Sequence, residues 1–273
     1  MSQIMDGKKI AEEKFFKLKE EVERESISAS LAVVSVGNNE VSQVYIKMKK
    51  KKLEEVGLGV SVYNLPDDIS EDELCSEVSL LKEDGVIVQL PLPEKINKQK
   101  VFNFIPREKD VDLLSSSAIG SFYSGSSDVL PPVVAAVKTL LDSCGVDYRE
   151  RSVVLIGSGV LVGKPLSLFF IDRKNTVSVL NSKTKNIQSF TKEADIIVSG
   201  TGVSEMLKGE MIKEGAVVID AGTSSEGGVL KGDVELGSVK EKASFISPVP
   251  GGVGPLTVYH LAENLVRLGR KNK

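Results

Sequence analysis

The sequence predicts an α/β fold with parallel sheets, arranged as two domains. Three observations carry that expectation. Apolar strand-like runs alternate with helical periodicity through the first ninety residues, the pattern of a parallel sheet covered by helices. A polar stretch at 115–128, with Ser115-Ser-Ser and Gly125-Ser-Ser, reads as a structure-poor boundary. Beyond it the alternation resumes as strand, glycine loop and helix. A chain of 273 residues with 41% hydrophobic side chains is long enough for one large or two medium domains.

Residues 6–27 have the periodicity of an amphipathic helix leading into Ser30-Leu-Ala-Val-Val-Ser-Val-Gly37, a continuous apolar strand. The stretch 41–57 then reads as a helix, with no interior Pro or Gly and Gly57 as its stop. At about 100° per residue, Val41, Val44, Tyr45, Met48, Leu53 and Val56 gather into one broad apolar arc. Ser42, Tyr45 and Lys49 fall within about 60° of one another inside it. Lys47, Lys50 and Lys51 fall outside, with Glu54 and Glu55 spaced for i,i+4 pairing to Lys50 and Lys51.

A lysine in a buried sector has two readings. Its stem can pack while the ammonium escapes to water, and Lys52 fits that description too. Alternatively, Lys49 is a cleft lysine whose charged form is disfavoured by desolvation and neighbouring cations, which makes it a usable acid/base. The Tyr-x-x-x-Lys pair alone is a weak signal, because short-chain dehydrogenases carry it as well. In those enzymes a glycine-rich loop precedes the pair, whereas here it follows by more than a hundred residues.

A strand at 60–65 is followed by Ser70 and Glu73, spaced as a capping box for a helix reaching about Glu83. Next comes Gly85-Val-Ile-Val-Gln-Leu-Pro-Leu-Pro93, with the prolines stopping the strand. Parallel sheets collect ligands at the carboxyl ends of their strands, which puts Gly37–Ser42 and Gln89–Pro93 on one rim. Gln89 either caps neighbouring backbone or hydrogen-bonds Lys49. In Lys109-Asp-Val-Asp112, one carboxylate suits a turn and the other suits a ring bearing N–H donors.

Past the boundary, 132–145 reads as a helix and Arg151–Ile156 as a buried strand. That strand enters Gly157-Ser-Gly-Val-Leu-Val-Gly163 and a helix through Leu168. Strand, glycine loop and helix let backbone N–H groups approach a pyrophosphate. The spacing is one residue longer than the usual dinucleotide fingerprint, and a tight turn in any α/β protein is the competing reading. The next strand, Thr176–Leu180, ends in Asn181-Ser-Lys-Thr184 rather than in the acidic residue that clasps an NAD ribose, which favours NADP over NAD. Strands at 194–199 and 216–220 bring Gly200, Gly202 and Gly222 to the same rim. A preorganised loop, Ser247–Thr257, precedes a helix from there to about Gly269.

Composition excludes several classes. A net charge of −3 is a poor footprint for nucleic acid. Cys75 and Cys144 make neither a disulfide framework nor a metal cluster, and His260 is the lone imidazole, so no metal site is expected. No apolar run approaches a membrane span and no signal-peptide core opens the chain, so a soluble, cytoplasmic protein is expected.

The ordered set Ser42-x-x-Tyr45-x-x-x-Lys49, Val88-Gln-Leu-Pro-Leu-Pro93, Lys109-Asp-Val-Asp112, Val162-Gly-Lys-Pro165 and Pro248-Val-Pro-Gly-Gly-Val-Gly-Pro-Leu-Thr257 resembles the bifunctional methylenetetrahydrofolate dehydrogenase/cyclohydrolase family over nearly the whole chain. The resemblance implies a folate-binding parallel-sheet domain at 1–117 plus 252–273 and a Rossmann-like NAD(P)-binding domain at 118–251. It further implies a C-terminal helix returning to the first domain, an active cleft between the domains, and a homodimer. Lys49 would be the central catalytic group, Tyr45 would stack on folate, Gln89 would orient Lys49, and Asp112 would bind the pterin. Ser42, Leu90, Pro91, Gly254 and Pro255 would line the substrate. Gly157, Ser158, Gly159, Val162, Gly163, Pro165, Ser182, Lys183, Thr184, Gly200 and Thr223 would line the cofactor. The implied reactions are oxidation of 5,10-methylene-tetrahydrofolate with NADP and hydrolysis of the methenyl product to 10-formyl-tetrahydrofolate.

The sequence departs from the family pattern at Leu113 (usually Gly), Ala118 (usually Asn), Pro132-Val-Val134 (usually Cys-Thr-Pro) and Ser158-Gly159 (usually Arg-Ser or Ala-Ser). A leucine beside Asp112 shifts the backbone if that position needs positive φ. Two competing readings follow: a monofunctional dehydrogenase, and a folate or nucleotide binder without turnover.

Overall fold

A computed structural model describes residues 2–226 and 229–271. The first half runs β1 (Gln3–Ile4), α1 (Gly7–Arg24), β2 (Ser30–Val36), α2 (Glu40–Glu55), β3 (Gly59–Leu65), α3 (Glu71–Leu80), β4 (Gly85–Val88), α4 (Lys98–Phe102), α5 (Ser116–Tyr123) and α6 (Pro132–Ser143). The second half runs β5 (Ser152–Ile156), α7 (Gly163–Ile171), β6 (Thr176–Leu180), α8 (Gln188–Thr191), β7 (Ile196–Ser199), β8 (Val217–Asp220), β9 (Ser224–Glu226), β10 (Val229–Lys231), α9 (Leu236–Lys242), β11 (Phe245–Ile246) and α10 (Val253–Lys271). No helix among the described residues is long and apolar enough to cross a membrane.

The chain divides into two compact units. One comprises Glu13–Pro132 with the residues from Val258 on, and the other the residues up to Glu12 with Val133–Thr257. The sequence placed the breaks at 117/118 and 251/252 and kept residues 1–12 with the folate domain, whereas the described residues up to Glu12 join the other unit, where β1 pairs with β11. The first break differs because 115–128 is not structure-poor. Ser115 caps α5 by accepting from the Ala118 N–H at 3.2 Å, and Ala118, Ser121 and Phe122 bury one face of that helix.

In the unit holding Glu13–Pro132, β3-β2-β4 form a three-stranded parallel sheet with β2 central. Every residue of β4 is buried, as expected for a strand covered on both faces. Beneath the sheet, Val34, Val86 and Val88 pack with Leu74, Cys75 and Val78 of α3 and with Phe102. The Ser70–Glu73 capping box forms as the sequence predicts, though α3 stops at Leu80, before Glu83. The last turns of α10 complete this unit: Asn264 Nδ2 donates to the carbonyls of Val111 at 2.9 Å and Leu130 at 2.8 Å.

The other unit carries a six-stranded parallel sheet in the order β1-β11-β8-β7-β5-β6. Two of its strands escape the periodicity, since β1 and β11 have two residues each and pair Gln3 with Phe245. β9 and β10 form a separate two-stranded antiparallel sheet. Because β6 lies on one side of β5 and β7 on the other, the direction in which successive strands are added to the sheet reverses between β5 and β7, the point at which doubly wound sheets open a crevice.

Candidate active site

The start of α2 is fixed by its cap. Asn39 Oδ1 accepts from the Ser42 N–H at 3.0 Å, and Ser42 Oγ lies 3.2 Å from both Asn39 Oδ1 and the Leu90 carbonyl. Ser42 is buried and ties the helix to the segment leaving β4. Asn39 was not singled out from the sequence, although an Asn three residues before a Ser at a helix start is a capping signal.

The apolar arc along α2 is narrower than the sequence suggests. Ile46, Leu53 and Val56 are buried, whereas Val44 and Met48 are exposed; the side chain of Val41 lies outside the described residues. Tyr45 and Lys49 are half-buried, one turn apart. Lys50 pairs with Glu54 at 3.7 Å as predicted, but Glu55 takes Lys52 at 2.8 Å instead of Lys51. An i,i+3 pair on the same face reaches the shorter contact, and the Lys52 ammonium stays near solvent as a snorkelling lysine does.

Lys49 does not escape to water. Its Nζ donates to Gln89 Oε1 at 2.9 Å, while Gln89 Nε2 donates to the Leu90 carbonyl at 2.9 Å. The Gln89 N–H donates to the Val34 carbonyl at 2.8 Å, extending the β2–β4 ladder by one residue and aiming the side chain. The Leu90–Pro91 peptide that follows is cis. Asp112 is the nearby counter-charge. Desolvation holds the Lys49 ammonium below the ordinary lysine value against the pull of Asp112. Desolvation likewise pushes the Asp112 carboxyl up against the pull of Lys49. Both groups are therefore driven toward their neutral forms.

The two carboxylates of 109–112 separate cleanly. Asp110 is buried and accepts from the backbone N–H groups of Leu114 at 3.0 Å and Ser115 at 2.8 Å, so it is the turn residue. Asp112 is the one left beside Lys49. Leu113 takes φ of +55°, the conformation that glycine adopts freely, so the leucine accepts the backbone rather than displacing it.

The glycine loop is built by contact. A side chain on Gly163 would collide with the Gly157 carbonyl, and one on Gly200 would meet Val162 Cγ1 at 2.6 Å. Gly157 has φ of +108°, and a Cβ there would sit 2.6 Å from the Gly200 carbonyl. These three glycines draw the ends of β5 and β7 and the start of α7 together at the switch point. Gly159 has open space around its Cβ position and Ser158 is exposed. Pro165 occupies the first turn of α7, where a missing N–H costs nothing. After β6, Asn181–Thr184 form a turn: Asn181 Oδ1 accepts from the Lys183 N–H at 2.9 Å and Thr184 Oγ1 from the Asn181 N–H at 3.0 Å. This leaves the Ser182 and Lys183 side chains exposed. Thr223 is exposed beside Gly202, whose Cβ position lies 3.6 Å from the Thr223 carbonyl.

Gly254 and Pro255 are not loop residues. α10 begins at Val253 rather than after Thr257, so both lie in its first turn, where proline needs no hydrogen-bonded N–H. Gly254 is exposed and Pro255 half-buried.

Comparison with known proteins gives these two sites a context. Residues 5–112 match the family model "Tetrahydrofolate dehydrogenase/cyclohydrolase, catalytic domain", and residues 131–273 match its NAD(P)-binding domain. The chain is 42% identical to the bifunctional protein FolD of Lactobacillus delbrueckii subsp. bulgaricus over 278 aligned positions, covering 99% of this chain and 98% of that protein. It is 42% identical to the bifunctional protein FolD of Aquifex aeolicus, covering 98% and 95%. Among solved structures, the bifunctional FolD dehydrogenase/cyclohydrolase of Campylobacter jejuni superposes with a TM-score of 0.93 at 34% identity, covering all of both chains. The Trypanosoma brucei FolD, solved with NADP and an inhibitor, gives 0.93 at 30% identity, covering 99% of this chain and 98% of that one. The chain belongs to the tetrahydrofolate dehydrogenase/cyclohydrolase family.

Proposed function

We propose that the protein oxidises 5,10-methylene-tetrahydrofolate to 5,10-methenyl-tetrahydrofolate with NADP and hydrolyses that product to 10-formyl-tetrahydrofolate. The observation that carries this reading is the 2.9 Å hydrogen bond from Lys49 Nζ to Gln89 Oε1 in a desolvated position beside Asp112. NADP supplies the hydride acceptor of the first step. The glycine packing at Gly157, Gly163 and Gly200 fits a dinucleotide, with Ser158, Gly159, Val162, Pro165 and Thr223 around it. In the turn that Thr184 closes, the exposed Ser182 and Lys183 supply a hydroxyl and a cation suited to a 2′-phosphate.

Lys49 is the group that moves a proton. The methenyl carbon is already cationic, so hydrolysis needs an oriented water and an acceptor for its proton. As the water oxygen bonds to that carbon, neutral Lys49 takes the proton. When the carbinol collapses, the Lys49 ammonium gives its proton to N5 as the C–N5 bond breaks, the regenerated amine takes the carbinol O–H proton and passes it to solvent, and the formyl group stays on N10. Tyr45 offers its ring to the folate, Asp112 accepts from pterin N–H groups, and Gln89 holds the amine in place. Ser42, Leu90 and Pro91 shape the wall beside them.

The test is a paired assay of the wild type and Lys49→Met, with methylene-tetrahydrofolate plus NADP or NAD, and separately with methenyl-tetrahydrofolate. Loss of the proton acceptor lowers hydrolysis by about 100-fold or more. In the wild type, hydrolysis rises with pH through an inflection below the ordinary lysine value, because the neutral amine is the active form. A wild type that oxidises without hydrolysing is a monofunctional dehydrogenase, and one that binds without turnover is a binding protein. The same preparation in size-exclusion chromatography tests for a homodimer, and cell fractionation tests for a cytoplasmic location.

A further inference from the structure

Two buried carboxylates in the dinucleotide unit take no part in this chemistry. Asp220 ends β8 and Asp233 follows β10, with 2% and 0% of their surfaces exposed. Burying a carboxylate without a counter-ion costs several kcal/mol, so each must hold donors that a neutral side chain could not.

Asp220 accepts from the N–H group of Gly222 just beyond it at 3.0 Å, and from those of Asp233 at 3.2 Å and Val234 at 2.9 Å in the segment after β10. These bonds hold Asp233 at the end of β7. One oxygen of Asp233, Oδ2, accepts three donors: Ser199 Oγ at 2.7 Å, the Thr201 N–H at 2.6 Å and Thr201 Oγ1 at 2.9 Å. Its other oxygen is buried without a hydrogen-bond partner among the described residues. The three donors flank Gly200, whose carbonyl abuts Gly157 and whose Cα abuts Val162. The contacts thus run without a break from Asp220 through Asp233 and Thr201 to both ends of the glycine loop.

We propose that Asp233 is a positioning residue for dinucleotide binding: by gripping Ser199 and Thr201 it fixes Gly200 against the Gly157–Gly163 loop, and Asp220 holds it there. The inference rests on reading that loop as the NADP site. Removing the Asp233 carboxylate frees the wall behind the loop and weakens NADP binding, while Lys49 and its neighbours belong to the other unit and keep their chemistry.

The bifunctional activity separates the two effects, because hydrolysis of methenyl-tetrahydrofolate consumes no nicotinamide. In the full-length protein, Asp233→Ala raises the KM for NADP by about tenfold or more, and leaves the hydrolysis rate within about twofold. Asp233→Asn keeps one acceptor oxygen and recovers most of the loss. Thr201→Val, which deletes one of the three donors from the loop side, moves the KM the same way by about threefold. An unchanged KM in Asp233→Ala overturns the proposal. So does a parallel fall of both activities in Asp233→Ala and Thr201→Val, which would make the carboxylate a support of the whole fold. A wild type that hydrolyses but shows no NADP-dependent oxidation overturns the underlying assignment of the loop instead.

Discussion

Leu113 shows how a single residue balances two opposed terms. Its φ of +55° costs roughly 1–2 kcal/mol relative to glycine, yet its side chain is buried at 4% exposure. Removing a buried leucine side chain costs about 2–5 kcal/mol, so packing outweighs strain. Leu113→Gly should therefore lower the thermal unfolding temperature rather than raise it, as calorimetry would read. A variant that melts higher would mean that strain dominates. At this scale the Lys49–Gln89 hydrogen bond was legible, because a lysine in an apolar arc and a glutamine ending an apolar strand call for partners, whereas Tyr45 and Asp112 were only candidates by spacing, one a turn before Lys49 and the other one of two alternate carboxylates. Asp233 was not legible, because its donors, Ser199 and Thr201, lie more than thirty residues away in sequence.

Among the elements, the glycine loop sorts its own residues. Gly163 and Gly159 look equivalent in sequence, but an alanine methyl at 163 would strike the backbone of Gly157 and Ser158, whereas one at 159 meets nothing within 4 Å. Gly163→Ala should destabilise the fold by about 1–3 kcal/mol in denaturant unfolding. Gly159→Ala should leave stability within about 0.5 kcal/mol and raise the KM for NADP. Equal effects on stability would refute this division of labour. The long elements were readable because their periodicity is sustained, and the α3 cap because Ser70 and Glu73 carry a local mechanism. α5 was missed because serines dominate it. One of them, Ser121, occupies a buried position by returning its hydroxyl to the Ala118 carbonyl at 2.8 Å, so polarity there does not mean exposure.

At the scale of the whole molecule, the sequence conveys the parallel sheets but not their full membership. β1 and β11 are too short for any period, and their pairing sets Gln3 beside Phe245, residues far apart in the sequence. The N–H groups of Gln3 and Met5 donate to the carbonyls of Ser244 and Ile246 at 2.8 Å each, and Met5 is completely buried. Deleting residues 2–5 should lower stability by about 2–5 kcal/mol, chiefly through the lost methionine and the uncovered sheet edge. Chemical denaturation of the truncated protein measures it, and an unchanged midpoint would show that the terminal strand contributes nothing.

The amide of Gln89 has a consequence for bond polarity at the site. The Leu90 carbonyl can only accept, so it claims the Gln89 NH₂ and turns the amide oxygen toward Lys49. An amine held there spends a hydrogen on the contact, not its lone pair. Glutamine is thus a tether that grips the basic amine nitrogen by its protic side without neutralising a charge, whereas a carboxylate of the same shape would act as a counter-ion and lock the ammonium in place.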